Sequence, residues 1–204
     1  MNARIIGLVA IAMISLPARA EDLQKLGQET TYFYLAPSRA NFEHLQSAAD
    51  QLAGLLEKKD NVALIVAVVI ASASEKYHWE ITGRGHLSDF AREIADGKSN
   101  TARYVNDDAR VDVGKLDVWW AEFFATGDTK YPGKILRYAK YPQAGEHAAD
   151  FMMPAMAAWS FKANCRQHKA LMAFAKRCLQ SNAYPSKVAF LKECVAQEHV
   201  PKPR

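Results

Sequence analysis

The chain has 204 residues, half of them hydrophobic, and a formal net charge of +4. That hydrophobic content is too high for a disordered chain, and the length suits one domain of ordinary size. Removing residues 1–20, whose only charged side chains are Arg4 and Arg19, lowers the net charge to +2. A charge this small does not indicate a nucleic-acid partner.

The first twenty residues have the order of a bacterial export signal. Arg4 gives a positive start, a mostly apolar run extends from Ile5 to Leu16, and Pro17 ends it. Residues 18–20 (Ala-Arg-Ala) then supply the small-x-small pattern after which signal peptidase cuts. The alternative is a buried N-terminal helix, which does not account for the agreement of charge, length and cleavage pattern. The sequence therefore predicts a mature chain that begins at Glu21 and is periplasmic or secreted. It predicts no membrane anchor after cleavage, because a span needs about 20 apolar residues.

Helical patterns dominate the mature chain. Ser38 can cap a first helix, and apolar residues follow at helical spacing: Phe42, Leu45, Ala49, Leu52 and Leu56. The β-branched run Val62 to Ile70 fits a strand or a helix. Its length and the Ala-Ser-Ala-Ser that follows favour a buried central helix. A helix is predicted from about Leu87 to Ala95. Residues 98–113 are polar and predict a short helix with a surface loop.

The second half continues in the same way. Leu116 to Ala125 is helical, Gly127 fits a left-handed C-terminal cap, and Asp128 fits the N-cap of a helix with Pro132 in its first turn. Further helices are predicted at 148–163, 167–181 and 186–197. We therefore expect a single all-α domain over 21–204, an irregular helical bundle or a short stack of helix pairs, with seven to nine helices.

No catalytic or metal motif stands out. Gly83-Arg84-Gly85 is a lone G-x-G that follows no clear strand, so a plain turn is expected. The six histidines include no pair at the i, i+4 spacing of a helical metal site. A hydrolase would need two acidic groups across a cleft, and the sequence places no two of the available carboxylates in that way: Glu80, Glu93, Asp117 and Glu122. We predict no catalytic residue, no cofactor and no metal.

One helix face is a candidate interaction surface. Lys130, Lys134, Arg137 and Tyr141 lie at i, i+4, i+7 and i+11, so they share one side of a helix. This pattern fits either an ordinary solvated face or a basic surface that holds an acidic protein partner. Trp119 joins the prediction because adjacent tryptophans cannot both point the same way on a helix, which leaves Trp119 half-exposed if its neighbour faces the core.

The three cysteines all lie in the last forty residues. Cys178 shares a helix face with apolar residues and is expected to pack as one. If the last two helices are antiparallel, Cys194 returns beside Cys165, which predicts a Cys165–Cys194 disulfide. Cys178–Cys194 is the competing pair. An oxidising compartment permits one such bridge, and closing a loop of this size stabilises a fold by roughly 3 kcal/mol.

Three short segments resemble exported bacterial all-helical proteins of no known activity. They are Leu116 to Asp128, with its W-x-x-F-F-A-T-G-D pattern, Ala157 to Asn164 with His168, and Tyr32 to Leu35. The resemblance covers about 21–175 and implies an all-α fold. It implies no catalytic role, and Pro132-Gly133 departs from the plainer helix expected at that point.

Together these patterns predict an exported protein that binds another protein and is not an enzyme. The concrete form is an inhibitor or immunity protein of a periplasmic toxin or hydrolase. The alternatives are an envelope scaffold or assembly factor and, less favoured, an enzyme acting on cell wall or a small molecule.

Overall fold

The computed structural model describes residues 17–57, 61–97, 99–109, 111–140 and 148–196. Within these ranges the chain forms ten α-helices, two short 3-10 helices and no strand, so the all-α prediction is confirmed. The α-helices are α1 (Pro17–Thr31), α2 (Arg39–Leu56), α3 (Val62–Tyr77), α4 (His86–Ala95), α5 (Asn100–Asn106), α6 (Val113–Thr126), α7 (Lys130–Tyr138), α8 (Ala148–Gln167), α9 (Lys169–Gln180) and α10 (Val188–Ala196). In this part of the chain, no helix combines the length and hydrophobicity that crossing a bilayer requires.

The helix that was not predicted is α1, which raises the count above the expected seven to nine. Leu23, Leu26 and Thr30 are buried at spacings of three and four residues, which gives the helix a narrow inward face. Through it α1 packs on α2 and α6. The predicted cleavage point after Ala20 falls in the first turn of α1, and most of the predicted signal lies outside the described residues. Export therefore stays a prediction.

The chain forms two compact units, Met1–Gly127 and Asp128–Arg204, called unit 1 and unit 2 below. This division does not decide whether 21–204 acts as one domain, and that prediction stays open. In unit 1, α3 packs against α2, α4 and α6. Every residue from Ile65 to Ala71 is buried, which is typical of a helix that is apolar on all sides. The choice of a helix over a strand for this run is confirmed.

Helix ends follow the predicted caps closely. The Ser38 hydroxyl accepts a hydrogen bond from the Asn41 N–H at 3.1 Å, as an N-cap should. Gly127 ends α6 with a φ of 67°, the left-handed conformation that favours glycine. The start of α7 differs by one residue, because Thr129 occupies the N-cap position. Asp128 still contributes, since its carboxylate accepts from the Lys130 N–H at 2.9 Å.

In unit 2, α8 packs against α7, α9 and α10, and α9 also packs against α10. Pro154 lies inside α8, at its seventh residue, and not in its first turn. Proline lacks the N–H that would bond to the carbonyl four residues earlier, so this turn has lost one helical hydrogen bond. The Pro154 carbonyl accepts a hydrogen bond from the Lys140 N–H at 3.2 Å, which ties α8 to the end of α7.

Candidate functional site

The predicted basic face lies on α7. Lys130 and Arg137 are exposed and Lys134 is half-buried, while Ile135 and Leu136 on the other side are buried. Because α7 packs on α8 through its apolar side, the three cations share its outer side. The structure thus brings together Lys130, Lys134 and Arg137. Tyr141, the fourth predicted member, lies outside the described residues.

An aromatic ring organises two of these cations. The Lys130 Nζ lies 4.6 Å and the Lys134 Nζ 5.6 Å from the centre of the Tyr131 ring, both within cation–π range. A hydrogen bond with Tyr131 is the main cause that raises the pKa of Lys130 above its usual value. Asp128 adds an ion pair, with 3.5 Å between its Oδ2 and the Lys130 Nζ. Lys130 therefore stays charged and is partly oriented before any partner binds.

The expectation that Trp119 is half-exposed was wrong. Trp119 is 2% exposed, and its indole Nε1 donates to Asp108 Oδ1 at 3.1 Å. Its neighbour Trp120 is buried as well. Both tryptophans can be buried because several sides of α6 are covered: α3 packs on one side, and α1 and the 3-10 helix Phe33–Leu35 pack on others. Trp119 therefore contributes to the packing of unit 1.

The exposed large apolar side chains of unit 2 lie mainly on α8, and sequence reasoning missed them. Trp159 is 50% exposed and Met152 is 55% exposed. They are seven residues apart, so they lie on one side of the helix, with the half-buried Met156 between them. The segment is apolar on almost all sides, so the sequence did not show which side is exposed. The spacing of the residues that are buried could have indicated the inner side, and so by exclusion the outer one: Ala157, Ala158, Phe161, Asn164 and Cys165.

Charge is divided unequally between the two units. Asp128–Arg204 has 13 lysines and arginines against 5 aspartates and glutamates, a net charge of +8. Met1–Gly127 has 13 against 17, a net charge of −4. The small total for the whole chain concealed this difference, and counting each half separately would have found it. A positive charge of this size favours encounter with acidic molecules over basic ones.

The cysteines are unbonded thiols in the structure, and all three are buried. The predicted Cys165–Cys194 bridge is therefore not formed. The two side chains are nevertheless neighbours, joined by a hydrogen bond between their thiols. Cys178 is buried on α9 among apolar residues, as predicted.

The short helix predicted within residues 98–113 is α5, but a buried polar network beside it was not predicted, because the rest of this polar segment was expected to be a surface loop. Lys115 is fully buried, and its Nζ donates to the Tyr104 and Val105 carbonyls at 2.9 and 2.5 Å. The Asp112 carboxylate accepts from the Tyr104 hydroxyl at 2.6 Å and caps the start of α6. These bonds occupy the carbonyls at the end of α5, so the role of Lys115 is structural.

Asp117, one of the four candidate hydrolase carboxylates, lies half-buried on α6. Burial raises the pKa of Asp117 to about 6, and a hydrogen bond with Asn61 opposes the rise. Glu122 lies five residues further along α6, which places it on a different side of the helix. Glu80 and Glu93 are exposed. The two candidates on α6, Asp117 and Glu122, therefore do not face a common site.

The Gly83-Arg84-Gly85 segment is a packed turn held by Asp50 of α2. The Asp50 carboxylate accepts from the Gly85 N–H at 3.0 Å, the Ser88 N–H at 2.9 Å and the Ser88 hydroxyl at 2.7 Å. A Cβ on Gly85 would lie 2.4 Å from the Asp50 carboxyl carbon, so any larger residue would displace the Asp50 side chain. The Asp50 carboxylate thus accepts the backbone N–H groups that a bound phosphate would accept at a phosphate loop. The interpretation of this segment as a plain turn holds.

The histidines within the described ranges do not converge on one site. His44 pairs with Glu29 at 3.3 Å, and His86 contacts Glu57. His168 is 1% exposed, and burial lowers its pKa to about 4, so the ring is neutral near pH 7. Among the described residues there is no group of three or more histidines, cysteines or carboxylates that could hold a metal ion.

Comparison with protein-family models, with curated proteins and with solved structures finds no match to this chain. The resemblance carried by the W-x-x-F-F-A-T-G-D segment therefore stays a prediction.

Proposed function

We propose that this chain is an exported protein-binding module that holds an acidic partner protein through unit 2. The observation that carries the proposal is the combination of a +8 net charge with a half-exposed tryptophan in the same unit. Exposed Trp and Arg side chains are the residues most enriched among binding hot spots, and surrounding cations speed encounter with an acidic surface. The particular form proposed is an inhibitor or immunity protein of a periplasmic toxin or hydrolase.

The cations of α7 would recognise the charge of the partner. Lys130 and Lys134 are held over the Tyr131 ring, so less side-chain freedom is lost when they bind a carboxylate. Trp159 and Met152 would bury apolar area and provide the anchor. An envelope scaffold or assembly factor would use the same surface, and only the identity of the partner separates the two roles.

The observation that favours an enzyme is the raised pKa of Asp117, since general acids are tuned in this way. The groove of about 510 Å³ between α2 and residues 82–85 does not add to this case. Of the carboxylates that line it, Asp50 caps α4 and Glu43 pairs with Arg39 at 2.9 Å. Both are engaged within unit 1, which leaves the binding role as the better supported one.

The test is affinity capture with the mature chain, Glu21 to Arg204, from envelope and secreted extracts, followed by titration of the partner that is retained. The charge-reversal variant K130E/K134E/R137E should weaken binding by at least about 100-fold, with the loss growing at low salt. The matched control is K169E/R177E/K192E, which makes the same charge change on α9 and α10 and should cost far less.

The apolar contribution is tested by Trp159→Ala against Leu35→Ala, which removes a side chain of 63% exposure from unit 1. Only the first should weaken binding. Equal affinities for the wild type, K130E/K134E/R137E and Trp159→Ala would refute the proposed surface. For the immunity role, a deletion strain must become sensitive to the captured toxin. For export, the protein in a periplasmic or secreted fraction must begin at Glu21.

A further inference from the structure

Helices α8 and α10 lie side by side along a seam in unit 2. The Phe161 and Phe190 rings pack with centres 5.8 Å apart. One residue further along α8, the Lys162 Nζ lies 3.0 Å from Glu193 Oε2. The Cys165 and Cys194 thiols form the next contact. These three contacts occur in the same order along both helices, so the seam sets a register in which Cys165 lies beside Cys194.

The two thiols are buried and differ in acidity. Cys165 is 2% exposed and Cys194 is 0% exposed. The hydrogen bond from the Cys165 thiol lowers the pKa of Cys194, and the same bond raises the pKa of Cys165. Lys162 and Arg166 favour the Cys194 thiolate, while burial and Glu193 oppose it. The two cations are the reason to assign the first attack on an oxidant to Cys194.

We propose that Cys165 and Cys194 are a redox pair, which a disulfide oxidant of the glutathione class converts into an intramolecular disulfide while Cys178 stays a thiol. The Cys194 thiolate attacks one sulfur of the oxidant and releases one thiolate, which takes a proton from solvent. Cys165 then loses its proton and attacks the Cys194 sulfur, which expels the second thiolate. Two protein thiols are oxidised and one disulfide is reduced to two thiols.

The burial of both sulfurs sets the route of this reaction. A bulky oxidant cannot reach them while α10 is docked, so the reaction proceeds through local opening of this nine-residue helix. Once α10 returns, the register of the seam places Cys165 beside Cys194. The Phe161–Phe190 and Lys162–Glu193 contacts favour this pairing over one with Cys178 of α9.

The experiment uses the full chain, reduced and then equilibrated with oxidised glutathione, alkylated under denaturing conditions and mapped by mass spectrometry. Alkylatable thiols should fall from three to one, with the remaining thiol at Cys178 and an intact mass lower by about 2 Da. The bridge should raise Tm by roughly 10 °C. Cys178→Ser should behave like the wild type, whereas Cys165→Ser should lose the shift in Tm.

Three alkylatable thiols after equilibration, a bridge that includes Cys178, or a stable glutathione adduct in place of the bridge would each overturn the proposal. Because the peptide map is made on the wild-type chain, the result does not depend on whether Cys165→Ser folds.

Discussion

The buried lysine of α6 offers the sharpest test of how unit 1 is held together. Replacing Lys115 by methionine keeps most of the side-chain volume and removes the ammonium group. The substitution deletes the hydrogen bonds to the Tyr104 and Val105 carbonyls, at 2.9 and 2.5 Å, and the contact with Asp108 Oδ1 at 3.6 Å. It thereby uncaps the end of α5, where helix carbonyls need donors.

The expected cost follows from these contacts. A hydrogen bond from a charged donor contributes about 1.5–3 kcal/mol, and two are lost. Part of this loss of stability is offset, because Lys115 is 0% exposed and the variant has no ammonium group to desolvate on folding. Methionine fills the space of the stem, so the cavity term is small. We therefore expect Lys115→Met to lower the free energy of unfolding by about 2–4 kcal/mol.

The assay is urea unfolding of the full chain, with amide hydrogen exchange to locate the effect. Exchange should accelerate first in α5. The control is Lys134→Met on α7, a half-buried lysine outside this network, with an expected change below about 0.5 kcal/mol. If Lys115→Met were as stable as the wild type or more stable, desolvation would outweigh the bonds, and the reasoning would be refuted.

Two further predictions concern pH and backbone strain. The folded pKa of His168, about 4, lies below its unfolded value, so this group loses up to about 3 kcal/mol of stability as pH falls from about 6.5 to 4. Asp117, with a folded pKa of about 6, has the opposite sign and loses a similar amount as pH rises from about 4 to 6. Urea titrations at pH 4, 5 and 7 give the difference in unfolding free energy between each variant and the wild type. As pH rises, this difference should change in opposite directions for His168→Asn and Asp117→Asn, and a change in the same direction would contradict the assignment. In thermal unfolding, Gly127→Ala should lower stability by about 1–2 kcal/mol, because the φ of Gly127 is 67° and the new Cβ would lie 2.9 Å from the Tyr34 ring. Gly54 lies inside α2 with open space around it, so Gly54→Ala should raise stability by about 0.5–1 kcal/mol.

Part of the candidate site could be predicted from the sequence. The spacing of Lys130, Lys134 and Arg137 on one helix face is a local property, and the structure brings them together as the spacing indicated. The exposure of Trp159 could not be predicted, because a helix that is apolar on all sides has no periodic pattern that shows which side is covered. Trp119 failed for the complementary reason: its burial depends on neighbours that cover several sides of α6.

What the sequence by itself determined about this protein is the set of short-range features. Helical periodicity, the Ser38 cap and the left-handed end at Gly127 depend on residues within a turn of one another, so local sequence specifies them. Tertiary structure alone decided the long-range ones. Three examples join side chains to groups on other elements: the α8–α10 contacts that set Cys165 beside Cys194, the hydrogen bonds from α4 to Asp50, and the burial of Lys115 against the end of α5. Such contacts form only when helices pack, because a polar or reactive group is buried where a partner on another element can satisfy it.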